Sequence, residues 1–346
     1  MTSEAPLILL DPYPRPIDLI FSPADKARLE RLGRVIWHDG HVPAPAEQID
    51  RYLPEAVALI GQSPMPRERL DRAPHLRLIA NVESNFLPNV DYLECHRRNI
   101  AVISTGPVFA QPVAEMALGL ALSAARRIAQ ADAAVRTGTE TLYGEGDNGD
   151  SFLLSGKTLG LLGCGNLGRA LLPLLRPFSR DILVHDPWIH ESVLRSMDVE
   201  PVGIDQLFAR SKVVFILAAT TVDNFGLIGA HQFQAMQPGS VVVLISRAGV
   251  VDFDALLDAA ASNHIRAAID VYPEEPIPAD HRVRRTPNTV LSAHRAGNIP
   301  EIWYGMGEMV VDDLELILRG FPPQRCQRAI LETVGRLRSK PVGDRL

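Results

Sequence analysis

The segment Gly163-Cys164-Gly165-Asn166-Leu167-Gly168 constrains this chain more than any other feature. It follows an apolar run, KTLGLLG at 157–163, and opens RALLPLLRPF, whose apolar residues recur at helical spacing. A strand that turns at once into a helix over a pyrophosphate needs glycine at three places: the tight turn, the closest backbone approach, and the packing of helix on strand. Gly163, Gly165 and Gly168 meet these demands in order, and Asn166 and Leu167 begin a helix whose N-terminus attracts phosphate. Similar turns occur in methyltransferases and as plain packing turns, so the flanking residues decide. Asp186 ends the next apolar run, ILVHD at 182–186, where a carboxylate chelates adenosine ribose hydroxyls and repels a 2′-phosphate. That pattern points to NAD rather than NADP. Cys164, inside the turn, reads as a small packing residue and not as a redox centre.

The turn sits within a regular series. DILVHD (181–186), VVFILAA (213–219), SVVVLIS (240–246), IRAAIDVY (265–272) and TVLSAH (289–294) continue what KTLGLLG begins. These runs are nearly continuous in Val, Ile, Leu and Ala, as strands covered by helices on both faces must be. The pattern predicts a doubly wound, Rossmann-like domain. An earlier series, LILLD (7–11), RVIWHD (34–39), AVALIG (56–61), LRLIAN (76–81) and IAVIST (100–105), has helix-length spacers such as AEQIDRYLP, with prolines confined to the gaps. It predicts a second parallel α/β unit.

Between the series, VAEMALGLALSAARRIAQADAAV (113–135) reads as one long helix leaving the first domain, and TGTETLYGEGDNGDS (137–151) as a flexible arm. EIWYGMGEMVVDDLELILRG (301–320) is helical with no later strand to serve, so it is expected to return to the first domain and make that domain discontinuous. The expected boundaries are 1–105 for the first domain, 106–295 for the coenzyme domain, and 296–346 for the return and a mobile tail. At 346 residues the chain exceeds one ordinary core.

Composition removes several function classes. A formal charge of −6 and no cluster of Lys and Arg argue against nucleic acid. The N-terminus lacks the basic start and cleavage pattern of a signal peptide, and no apolar run is read as long enough to cross a membrane. Cys95, Cys164 and Cys326 have neither metal-ligand nor CxxC spacing, so no metal is expected and a reducing cytoplasm fits.

Three charged or titratable residues stand at the carboxyl ends of late strands, the edge where an open α/β sheet keeps its ligands. Arg247 ends SVVVLISR, Glu275 follows IRAAIDVYPE, and His294 ends TVLSAH. Interconverting an alcohol and a ketone by hydride transfer needs a group that takes the hydroxyl proton and returns it, and histidine does both near neutral pH. A carboxylate beside it stabilises the imidazolium, the task expected of Glu275. Arg247 has the planar fork that grips a carboxylate and polarises the neighbouring carbonyl. Ala218, Ala219 and Asp270, at other strand ends, complete the candidate cofactor contacts.

With these residues in view, the chain resembles the D-isomer-specific 2-hydroxyacid dehydrogenases from about Leu76 to Arg319. The resemblance rests on Val113-Ala114-Glu115, GKTLGLLGCGNLG, His185-Asp186-Pro187, GLIGAHQFQAMQPGSVVVLISRAGVVD, AAIDVYPEEP and LSAHRAG. It implies Arg247, Glu275 and His294 as the catalytic trio, a nicotinamide dinucleotide cofactor, a 2-hydroxy or 2-oxo acid as substrate, a flavodoxin-like substrate domain, and a homodimer clasped through the coenzyme domains. The sequence departs from the family at Ala248, where glycine is usual, and at Leu244, where asparagine is usual. It departs again in the substrate loop, Asn81 to Asp91, where a glycine-rich turn is usual. In that loop Val82, Glu83 and Ser84 are candidate substrate contacts. Arg295 either offers a second positive charge to an acid with an extra anionic group or turns to solvent or to Glu301, while an inward Glu83 would repel such a dianion. Trp303 and Tyr304 either line an apolar side of the pocket or belong to a core or interface. A member of this fold that senses NAD and acts as a corepressor, without turnover, is the alternative function.

Overall fold

The computed structural model describes residues 5–39, 42–141 and 151–337. Among them are thirteen strands: β1 (Leu7–Asp11), β2 (Arg34–Trp37), β3 (Ala56–Gly61), β4 (Leu78–Asn81), β5 (Ala101–Ser104), β6 (Leu159–Leu162), β7 (Ile182–His185), β8 (Glu200–Pro201), β9 (Val213–Ile216), β10 (Ser240–Leu244), β11 (Ile265–Ile269), β12 (Thr289–Leu291) and β13 (Gln327–Arg328). The chain divides into two compact units, one of Met1–Phe109 with Ile299–Leu346 and one of Ala110–Asn298.

The first unit holds a six-stranded sheet in the order β13-β5-β4-β3-β1-β2, parallel except where β13 runs antiparallel to β5. Successive side chains of a strand point to opposite faces, and both faces here are covered. Ile8 and Leu10 pack with Phe21, Leu29, Ile302, Met306, Val310 and Leu314, while Leu7 and Leu9 pack with Ile49, Leu53, Leu70 and Cys95. The helix Pro300–Leu318 supplies the 302, 306, 310 and 314 stripe, one residue every four, and so belongs to this unit.

The second unit is a seven-stranded parallel sheet in the order β12-β11-β10-β9-β6-β7-β8. The chain starts in the middle at β6, winds outward one way to β8, then crosses to β9 and winds the other way. The reversal between β6 and β9 is the place where a doubly wound sheet opens a crevice at its carboxyl edge.

Three expectations need correction. The run 113–135 is two helices, Ala110–Arg126 and Ile128–Thr137, broken at Arg127, whose φ of 53° is left-handed. No glycine or proline marks the break, so helical spacing carries the reading straight across it. The segment Gly106–Arg126 is in fact long and apolar enough to cross a membrane by length and composition. Its Val113, Ala117, Leu120, Ala121 and Ala124 are nevertheless buried inside the protein, and small residues let it lie close on its neighbours. The strands β8 and β13, two residues each, carry no apolar run and were not expected. Most of the expected arm, 142–150, and of the expected tail, 338–346, lies outside the described residues.

Asp313, fully buried on Pro300–Leu318, accepts from the backbone N–H groups of Gln324 at 2.7 Å, Arg325 at 3.0 Å and Cys326 at 2.7 Å, and so fixes the approach to β13. Asp313→Ala should lower the unfolding free energy by roughly 3 kcal/mol, because donors are left without an acceptor. Urea denaturation measures this, and a loss under about 1 kcal/mol would contradict the assignment.

Candidate active site

The glycine turn is built as its spacing requires. Gly163 follows β6 with a φ of +97°, and a Cβ there would stand 2.9 Å from the Ala218 amide nitrogen. A Cβ on Gly168 would meet the Gly163 carbonyl oxygen at 2.7 Å, so only glycine lets the helix Asn166–Leu175 start this close to its strand. Gly165 has open space where its Cβ would be, and no side chain caps this helix. A helix N-terminus with no side-chain cap, reached through a glycine with room beside it, fits a phosphate. Asn166 and Leu167 are the first two helical residues. Asp186 follows β7, and its carboxylate is set by two backbone donors, Cys164 N–H at 2.8 Å and Trp188 N–H at 2.9 Å. The acid is thereby tied to the glycine turn itself. Cys164 is fully buried, and burial followed by the Asp186 charge raises its thiol pKa, which suits packing and not redox chemistry.

Ala218 and Ala219 follow β9, next to the Gly163 turn; their carbonyls accept from Ser246 Oγ at 2.7 Å and Asn224 Nδ2 at 2.8 Å. Asn224 Oδ1 also accepts from Thr221 N–H at 2.7 Å, so one side chain shapes the loop after β9.

Arg247, Glu275 and His294 follow β10, β11 and β12, three strands adjacent in the sheet. Arg247 is partly buried and donates to the Ser246 carbonyl at 2.7 Å. His294 Nδ1 lies 2.7 Å from Glu275 Oε2, and Glu275 Oε1 accepts from Tyr272 N–H at 3.0 Å. Both carboxylate oxygens are therefore committed, and the imidazole is oriented. Nε2 of His294 bonds to no described residue, and the side chain is about one third exposed, 34%. A ring held through Nδ1 can take up and release a proton at Nε2. His294 has a φ of 51°, uncommon for a residue with a Cβ.

Asp270 accounts for that conformation. Its carbonyl accepts from His294 N–H at 2.8 Å, and its carboxylate accepts from Arg295 N–H at 3.0 Å and Ala296 N–H at 3.2 Å. Fully buried, Asp270 holds the His294 loop through these three hydrogen bonds. Tyr272, which sequence reasoning passed over, donates its hydroxyl to the Ser292 carbonyl at 2.6 Å and pins the same loop from behind. Burial, then the charges of Asp270 and Glu275, push its phenol up to about 12, so it keeps that proton.

The other candidates belong to the first unit. Val82, Glu83 and Ser84 follow β4 at the carboxyl edge of its parallel sheet. Glu83 is buried and paired with Arg15, at 2.6 Å to Nη1 and 3.2 Å to Nη2, so it is not the bare repelling charge that the sequence suggested. Nothing in the sequence marks Arg15, which lies 68 positions from its partner. Arg295 is exposed and forms no ion pair with a described acid, Glu301 included. Trp303 packs on the core and under the Arg15 guanidinium, 5.7 Å from the ring centroid, whereas Tyr304 is exposed. Among the described residues no group of His, Cys, Asp and Glu could hold a metal ion.

Residues 118–296 match the family model for D-isomer specific 2-hydroxyacid dehydrogenase, NAD binding domain. A glyoxylate reductase from Korarchaeum cryptofilum is 30% identical over 300 residues, covering 86% of this chain and 90% of that protein. A D-3-phosphoglycerate dehydrogenase from Archaeoglobus fulgidus is 30% identical over 279 residues, 80% of this chain, and this match spans about half, 52%, of that longer protein. Among solved structures, a phosphoglycerate oxidoreductase from Rhizobium etli has a TM-score of 0.85 and 43% identity, over 95% of this chain and 99% of that one.

Gly163→Ala forces a Cβ into the Ala218 backbone at a left-handed φ, which must shift the turn. NADH affinity, followed by tryptophan quenching, should fall at least about tenfold, a loss near 1.4 kcal/mol. Unchanged affinity would show that this turn does not carry the nucleotide.

Proposed function

Because the chain belongs to the D-isomer specific 2-hydroxyacid dehydrogenases, we propose that it transfers a hydride between NAD(H) and a small D-2-hydroxy acid and its 2-oxo acid, with His294 as the proton donor and acceptor. The observation that carries this reading is the 2.7 Å contact of His294 Nδ1 with Glu275, with Nε2 left without a described partner. The nicotinamide, when bound, supplies or accepts the hydride. His294 Nε2 gives its proton to the carbonyl oxygen during reduction and takes the hydroxyl proton during oxidation. Glu275 keeps the ring in one orientation and stabilises the imidazolium. Arg247 grips the carboxylate and polarises the carbonyl, and the loop at Val82, Glu83 and Ser84 is the second contact with the acid. The reduction balances as 2-oxo acid, NADH and a proton giving 2-hydroxy acid and NAD.

Relatives named for glyoxylate and for phosphoglycerate support a small 2-oxo acid. The preference for NAD rests on Asp186, whose fixed carboxylate beside the glycine turn repels a 2′-phosphate. A homodimer through the coenzyme domain is part of the same reading. It is supported by Ile128 and Val135, more than half exposed on a helix that buries none of its residues. A cytoplasmic location is also part of this reading, and three free, buried cysteines are in keeping with it.

His294→Ala should lower kcat/KM for glyoxylate or hydroxypyruvate by about 10³-fold or more, and Glu275→Gln by roughly 10- to 100-fold, as loss and misorientation of a general acid do. Absorbance at the nicotinamide band measures both. NADH binding with no turnover of any 2-oxo acid would favour the sensing alternative. Asp186→Asn should raise the ratio of kcat/KM for NADPH over NADH by about tenfold as the repelling charge is removed. An unchanged ratio would remove Asp186 from cofactor choice.

A further inference from the structure

Arg15 follows β1 in a proline-rich loop, Asp11-Pro12-Tyr13-Pro14-Arg15-Pro16, and its side chain is nearly buried. Its Nη1 donates to the Val82 carbonyl at 2.8 Å and to Glu83 Oε1 at 2.6 Å, while Nη2 reaches Glu83 Oε2 at 3.2 Å. Gln62 Nε2 adds a donor to Glu83 Oε1 at 3.3 Å, and the Trp303 ring lies under the guanidinium. Asp11, also buried at this edge, is occupied by Ser63 Oγ at 2.5 Å and Ala44 N–H at 3.1 Å. The Glu83 carbonyl is held as well, by Thr105 N–H at 3.0 Å and Thr105 Oγ1 at 3.1 Å. Thus the loop is fastened on both sides of Glu83, while the Glu83 N–H donates to no acceptor among the described residues.

Resting on the reading above, we infer that Arg15 and Glu83 act together as a positioning and specificity pair: they lock the substrate loop, and by cancelling each other's charge they set the site for 2-oxo acids with one carboxylate. A bidentate guanidinium fixes its partner in plane and in distance, which a single-point contact would not do. A lone arginine at this edge would attract a second substrate carboxylate, and a lone glutamate would repel even the first. The pair does neither. It leaves backbone donors such as the Glu83 N–H to meet a single carboxylate, replacing the glycine-rich turn that this loop lacks.

The test compares oxaloacetate, a dianion, with 2-oxobutyrate, a monoanion of the same chain length. Glu83→Gln keeps the shape and frees the Arg15 charge, so the ratio of kcat/KM for oxaloacetate over 2-oxobutyrate should rise about tenfold. Arg15→Leu should lower that ratio and act on KM more than on kcat. A purely structural ion pair would depress both substrates alike, so a ratio within about twofold of wild type in Glu83→Gln overturns the inference. Should either variant fail to fold, the wild-type protein loaded with NADH is titrated calorimetrically with oxamate, a monoanion, and oxalate, its near-isosteric dianion. Tighter oxamate binding supports the assignment; tighter oxalate binding, or binding of neither, overturns it. Because this readout needs no turnover, failure of the dehydrogenase reading itself, seen as no NADH consumption with any 2-oxo acid, is recognised separately.

Discussion

The hydrogen bonds around Asp270 are the constraint on which the carboxyl edge of the second unit's sheet depends at β11 and β12. A fully buried carboxylate costs several kcal/mol to desolvate unless donors replace the water it loses. Here the donors are the amides of Arg295 and Ala296, and the Asp270 carbonyl takes the amide of His294. To bring these amides to one residue, the chain after β12 must turn tightly, and His294 takes the left-handed conformation that the turn needs. A strained backbone of this kind persists only where its surroundings overdetermine it. The result is an imidazole that meets Glu275 at hydrogen-bond distance with Nε2 turned away from the pair.

The topology decides which residues can share that edge. In a doubly wound sheet every strand points its carboxyl end the same way, so residues far apart in sequence collect there by strand order alone. β10, β11 and β12 are neighbours, which places Arg247, Glu275 and His294 on successive loops, while β6, β7 and β9 gather Gly163, Asp186 and Ala218. The departures from family usage are absorbed locally. Ala248 is buried in the core, and Leu244 is buried within β10.

What the sequence discloses follows from the range of the interaction concerned. All eleven apolar runs became strands, nine of them largely buried as a strand covered on both faces must be, a property that local composition displays; the edge strands β2 and β12 are only partly buried. The glycine turn is legible for the same reason, since its demands fall within six consecutive residues. The break at Arg127 leaves no mark, because an arginine in a left-handed conformation differs in no local way from one within a helix. The two-residue strands β8 and β13 have too few side chains to form a pattern. Arg15 and Asp313 are invisible for a different reason: each acquires its role from partners that only the fold supplies, across 68 positions in one case and by closing back on an exposed return loop in the other.

The two buried carboxylates at the sheet edges show how differently a fold can satisfy the same chemical need. Asp270 is compensated by backbone amides, which carry partial charges, so its negative charge persists and a rigid turn is the product. Glu83 is compensated by a guanidinium, so the charges cancel and a loop is fixed without leaving a net field. The sequence shows two acids near two strand ends. Their different partners make one a support for the histidine turn and the other a neutral part of the loop after β4.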